Sequence, residues 1–155
     1  MNKKVSNFIY FIICCIFFIY ANLSLSNFIV YNLQKGLHTP DGIISLHYIK
    51  NTGAAFSILK DAREILIILS VVVLVLLFLY VLKHLKSLSM KSLFFIAMLS
   101  AGIAGNLHER IAYGYVRDFF ELSFISGLPV FNLADIFINI GVIVLIILIL
   151  VKKSK

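Results

Sequence analysis

Four apolar stretches, each close to the length needed to cross a bilayer, divide the chain and leave it little freedom in how to fold. The first covers about Val5 to Ala21 and can continue through the weakly polar Asn22–Val30. The second runs from Ile65 to Leu82, interrupted only by Ser70. The third runs from Ser92 to about Leu107, with Gly102 and Gly105 inside it, and the fourth spans Val130–Val151. A spanning helix needs roughly 17–25 largely apolar residues, so the third stretch borrows from Met90–Lys91 or from His108–Ala112. Composition agrees: 61% of the residues are hydrophobic and 14% charged, against about 45–50% and about 25% in soluble domains. Mean hydropathy is +1.03. The expected fold is an all-α integral membrane domain over 1–155, with helices over about residues 5–28, 63–82, 91–111 and 130–151.

Charge sets the expected orientation. Lys3 and Lys4 precede the first stretch, Lys83, Lys86 and Lys91 separate the second and third, and Lys152, Lys153 and Lys155 follow the fourth. No acid lies on that side; all seven acids accompany the cations of the other two loops. Positive loops stay cytoplasmic, which places both termini inside and both longer loops outside. The net charge of +7 is then a matter of topology and anionic-lipid contact, and a nucleic-acid partner is not expected. Two lysines followed by an apolar run resemble a signal peptide. Without a small-residue cleavage site, and with even topology to preserve, the first stretch is expected to be a retained helix. Adjacent Cys14 and Cys15 inside it are expected to pack as apolar residues.

The outward segments carry their own signals. Thr39-Pro40-Asp41-Gly42 is a turn signal, Ile43–Ile49 reads as a short β-prone strand, and Asn51–Ser57 is small and apolar. Between Tyr113 and Pro129, Arg117, Asp118 and Glu121 are interleaved with aromatics, which reads as a loop dipping towards lipid.

Two aspartates stand where an apolar chain accommodates them least: Asp118 at the edge of the last loop and Asp135 near the start of the fourth stretch. A carboxylate at the centre of a membrane helix costs about 2.5–3.5 kcal/mol on insertion scales, which makes such a residue a functional candidate. Helical spacing puts Asn106 and Arg110 on one face, and Asn132, Asp135 and Asn139 on another that must face the bundle interior or water. Two close carboxylates repel, so the pair holds one proton near neutrality. The ionised member can then activate water while the protonated one polarises a carbonyl. That chemistry needs no cofactor. The competing reading is that Arg110 and Arg117 merely neutralise the two acids as helix-end ion pairs.

Other chemistries find less support. The four histidines are scattered, His108-Glu109 has no metal-ligand spacing around it, and no serine has an evident base. A transporter would need further charges deeper in helices two and four, where there are none. Gly102-Ile103-Ala104-Gly105 reads as small-residue helix packing.

Four blocks, in order, resemble the signature of the lipoprotein signal peptidases (signal peptidase II). They are Asn51–Ser57, Gly102–Arg110, Gly114–Phe119 and Phe131–Ile136. The resemblance implies a bacterial membrane aspartyl endopeptidase that cuts diacylglyceryl-modified prolipoproteins before the lipidated cysteine. It implies a small outward β-cradle, membrane lipids as surroundings, a site at the outer face of the inner membrane, and a monomer. Carried over by position, Asp118 and Asp135 are the catalytic pair, while Asn51, Gly53, Asn106, Arg110, Asn132 and Ala134 line the site or bond to substrate.

Two departures stand out. The family's first helix carries Asp-Gln-x-x-Lys, where this chain has Leu23-Ser24-Leu25-Ser26-Asn27. Glu109 replaces an aspartate, extending the carboxylate by about 1.5 Å. The first change keeps open the alternative of a weak or inactive relative that binds lipidated precursors without cutting them.

Overall fold

The computed structural model describes residues 2–36, 42–53, 59–125 and 127–153. The four apolar stretches are helices α1 (Lys3–Gln34), α2 (Arg63–His84), α3 (Met90–Tyr113) and α4 (Leu133–Lys153). All four are long and apolar enough to cross a membrane. Between them lie two strands, β1 (Ile44–Asn51) and β2 (Val116–Leu122), paired antiparallel.

The first helix does not stop near residue 28, as its hydropathy suggested, but continues to Gln34. Its 32 residues extend for about 48 Å, well beyond a hydrocarbon core of about 30 Å. Its buried positions (Asn7, Phe11, Cys14, Phe18, Asn22, Ser26, Ile29 and Val30) recur every three or four residues as a single stripe. The last two explain the extension: Ile29 and Val30 form a second small core with Phe119 of β2.

Helix α3 is central, touching α1, α2 and α4. Leu93, Ile96, Ala97 and Ala101 of α3 pack with Phe11 and Phe18 of α1 and Val81 of α2. Glycines let α4 come close. A Cβ on Gly102 would lie 2.6 Å from the Ala134 carbonyl oxygen, and one on Gly141 would lie 2.9 Å from the Leu99 Cβ. Small residues at membrane helix interfaces permit this backbone approach. The approach sets Asn106 of α3 beside the first turn of α4.

Helix α4 begins at Leu133, three residues later than read from sequence. Phe131 is engaged elsewhere, its carbonyl accepting from the Phe119 and Phe120 amides at 3.1 and 2.8 Å. That clip ties β2 to the entrance of α4.

The stretch Tyr113–Pro129, expected to be a loop, contains β2. Val116 through Phe119 are all buried, so no apolar–polar alternation shows in the sequence. Gly114 makes the turn from α3 into this strand with φ +86°, a left-handed conformation that glycine adopts without steric penalty. Within β1, the pairing shifts between Leu46↔Phe120 and Ile49↔Asp118, so His47 and Tyr48 together oppose Phe119. This bulge has a consequence for chemistry. Side chains alternate faces along a strand, and an unbroken register would put Lys50 on the Asp118 face and Asn51 behind it. The extra residue reverses that, pairing Asn51 with Val116 on the face of Asp118. The Thr39–Asp41 part of the turn signal and Ala54–Ser57 lie outside the described residues.

Candidate active site

Asp118 sits on β2 between two side chains of the opposite face, Arg117 and Phe119. It is 2% exposed, yet both carboxylate oxygens have donors. Asn51 Nδ2 lies 2.8 Å from Oδ2, and Asn132 Nδ2 lies 2.8 Å from Oδ1.

Asp135 is built into the start of α4. The Asn132 Oδ1 accepts the Asp135 N–H at 3.0 Å, while the Asp135 Oδ2 accepts the Asn132 N–H at 3.0 Å. This is a reciprocal capping box with asparagine as the N-cap and aspartate three residues later. A carboxylate in a first helical turn is also favoured by the helix dipole. Asn106 Nδ2 donates to the remaining oxygen, Oδ1, at 2.8 Å.

Backbone groups settle which way the three carboxamides point. A backbone N–H can only donate, so the oxygen of Asn132 must face the Asp135 amide and its nitrogen must face Asp118. The second proton on that nitrogen goes to Asn106 Oδ1 at 3.1 Å, which turns the Asn106 nitrogen towards Asp135. The Gly53 amide donates to Asn51 Oδ1 at 2.9 Å, which in the same way turns the Asn51 nitrogen towards Asp118. Three asparagines from three elements thus aim N–H groups at two carboxylates. Asn132 contacts both.

The arginines do not behave as the ion-pair reading expected. Among the described residues, the two ion pairs within 4.0 Å are His47–Glu121 and Arg117–Glu109, and neither involves Asp118 or Asp135. Arg110, 8% exposed, donates from Nη2 to the Gly53 carbonyl at 2.8 Å. It therefore holds the Asn51–Gly53 turn against α3. Arg117 points away from Asp118, as strand alternation requires, and meets Glu109 through its backbone N–H and its guanidinium.

The structure brings Asn51, Gly53, Asn106, Arg110, Asp118, Asn132 and Asp135 together. Ala134 stands apart from this polar cluster: it is 1% exposed and backs onto Gly102 and Gly105 of α3. Asn139 is exposed, so the polar stripe on α4 ends at Asp135 and does not continue into the bundle. Sequence reasoning missed the partnership of Asn27, whose Oδ1 accepts from Arg117 Nη2 at 3.0 Å. Reading 116–122 as a strand would have put Arg117 on the face opposite Asp118 and pointed to it. Glu109 is committed to Arg117, which removes the acid from the His108-Glu109 pair considered as metal ligands.

Burial pushes the Asp118 carboxyl up to about 7, and the neighbouring Asp135 charge acts in the same direction; the Asn51 and Asn132 bonds and the Arg110 charge oppose them. An acid in this range gains and loses its proton near neutrality.

A family model described as signal peptidase (SPase) II matches residues 12–151. The lipoprotein signal peptidase of Caldicellulosiruptor bescii is 39% identical over 147 residues, covering 95% of this chain and 94% of that protein. The lipoprotein signal peptidase of Lactococcus lactis subsp. lactis is 36% identical over 140 residues, covering 88% and 90%. A bacterial membrane enzyme solved by the in meso method at 2.3 Å resolution superposes with a TM-score of 0.78 at 27% identity, over 94% of this chain and 89% of that one. A second such enzyme, solved at 1.9 Å, gives a TM-score of 0.75 at 25% identity, over 90% and 92%. With the match running through nearly all of its length, the chain belongs to the signal peptidase II family.

Proposed function

We propose that this protein is a membrane aspartic endopeptidase that removes signal peptides from prolipoproteins, with Asp118 and Asp135 as its catalytic pair. The observation that carries the reading is the convergence of Asn51, Asn106 and Asn132 on two carboxylates that, among the described residues, have no arginine within ion-pair distance. Near neutrality the pair holds one proton. Asp135, which accepts the Asn132 backbone N–H and the Asn106 side-chain amide, acts as the base and Asp118 carries the proton. Asp135 takes a proton from water as its oxygen attacks the scissile carbonyl carbon, and Asp118 donates to the developing oxyanion. When the tetrahedral intermediate collapses, the C–N bond breaks, Asp135 gives the leaving nitrogen the proton it took from water, and Asp118 recovers its proton from a hydroxyl of the intermediate. The products are a signal peptide with a new carboxylate and a lipoprotein with a free amine. Water-excluded surroundings strengthen such electrostatics.

The finer reading is that the substrate carries a diacylglyceryl group and is cut just before the modified cysteine. Its signal helix and acyl chains then lie in the bilayer beside the enzyme. Both termini are cytoplasmic, the site opens at the outer face, and the chain works as a monomer surrounded by lipid. Asn51, Gly53, Asn106, Arg110 and Asn132 hold the pair and the extended substrate backbone; Ala134 contributes by leaving room for α3. The test is purified protein in lipid, mixed with a diacylglyceryl-modified precursor and with its unlipidated form. A shortened product from the first and none from the second is expected. An intact lipidated precursor would contradict the reading.

A further inference from the structure

Behind Asp118, on the other face of the strand, lies a buried charge assembly that the proposed chemistry does not use. Glu109 and Arg117 are 3% and 8% exposed. Glu109 Oε2 accepts the Arg117 backbone N–H at 3.0 Å, and both of its oxygens accept from the guanidinium Nε at 2.8–2.9 Å. The guanidinium also lies 4.5 Å from the Tyr113 ring centroid and donates to Asn27 of α1 at 3.0 Å. One side chain of α3 therefore grips β2 at the residue preceding Asp118. Glu109 immediately precedes Arg110 and lies one helical turn beyond Asn106, so the grip ties the helix bearing two site residues to the strand bearing the carboxylate.

We infer that Glu109 is a positioning residue for Asp118, and that its buried charge requires a matching cation, which this chain supplies from Arg117 on the strand with Asn27 as its anchor on helix one. The two sequence departures then become one feature. At position 27, where helix one carries an asparagine and no cation, the strand provides one, and the longer glutamate accommodates the fork of a guanidinium. A planar guanidinium and a carboxylate match in a two-bond geometry. An acid buried at this depth without a partner would be strongly unfavourable. The side chain at 27 already touches the guanidinium, so an ammonium placed there can reach the same carboxylate.

This inference rests on the peptidase reading, and the wild-type protein and Asp118→Asn are assayed alongside to keep the two separable. If the wild type fails to cut the lipidated precursor, the peptidase reading falls; the clamp is judged against an active wild type. Arg117→Val is expected to lower kcat about 100-fold, the scale of a 1 Å misplacement of a reacting group, with KM changed less than about 3-fold. Adding Asn27→Lys to that variant is expected to recover most of the loss. The paired variant Glu109→Met/Arg117→Met removes both charges together, a change that buried ion pairs often tolerate, and is expected to insert normally while keeping the low kcat. Should that variant fail to insert, Glu109→Asp, which keeps the charge but shortens the reach, is expected to lose about 10-fold in kcat. Wild-type kcat in Arg117→Val, in the paired variant or in Glu109→Asp would overturn the inference. Failure of Asn27→Lys to restore Arg117→Val would do so as well.

Discussion

Asn132 and Asp135 cap one another: each side-chain oxygen accepts the other's backbone N–H at 3.0 Å. Helix initiation and carboxylate placement are therefore the same event. Asn132 then spends its remaining N–H bonds on Asp118 and Asn106, so one asparagine is bonded to both acids.

Replacing Asn132 separates those two roles. Asn132→Ala removes the cap, worth about 1 kcal/mol, and lowers Tm by about 2–4 °C. Asn132→Asp keeps a good N-cap acceptor but puts a third carboxylate beside the pair. Both variants are expected to lose about 100-fold or more in kcat. Thermal melts beside cleavage rates check this, with Asn132→Asp the more stable and no more active.

The pH–rate profile follows from the acid at 118. Its carboxyl titrates at about 7, so raising the pH through that value removes the shared proton and leaves two like charges. Activity is expected to fall on the alkaline side from about pH 7, as a property of the pair rather than of one residue. Initial rates across the pH range measure it. A rate that rises steadily to pH 9 would rule out a shared proton.

Stability should carry the same signature. An ordinary aspartate titrates near 3.9, so between about pH 4 and 7 the folded chain binds more protons at position 118 than the unfolded one. Stability then falls as pH rises through that window. The protein is expected to melt at a lower temperature at pH 8 than at pH 5, with Asp118→Asn reducing the difference. Melting curves of both proteins at the two pH values test it.

Helix approach can be probed away from any charge. A methyl on Gly102 would meet the Ala134 carbonyl oxygen at 2.6 Å. Gly102→Ala is expected to destabilise by about 1–3 kcal/mol and to lower activity by moving α4 relative to Asn106. Ser70→Ala, which loses only a bond to its own helix at Leu66, is expected to change neither. Tm and kcat for the two variants decide the matter.

Much of this was legible before the coordinates. Hydropathy reveals the spans because lipid leaves the backbone no alternative, and Asp135 announces itself because charge is costly at that depth. Asn106 and Arg110 follow from helical period. What stayed hidden depends on strand geometry. With both its faces buried, β2 shows no alternation, so the pairing of Arg117 with Glu109 cannot be read from the sequence, and nothing local announces a bulge at His47–Tyr48. Helix one outran its hydropathic limit because Ile29 and Val30 found Phe119, a partner some ninety positions away. Helical period puts Asn139 on a face turned to the bundle interior or to water, and the structure leaves it exposed.

The most direct measurement is cleavage of a diacylglyceryl-modified precursor by Asp118→Asn and by Asp135→Asn, each purified in lipid beside the wild type. The account expects both to insert and melt cooperatively, and each to lose about 1,000-fold or more in rate, towards the upper end of what a positioned acid or base contributes. Near wild-type cleavage by either variant would contradict it.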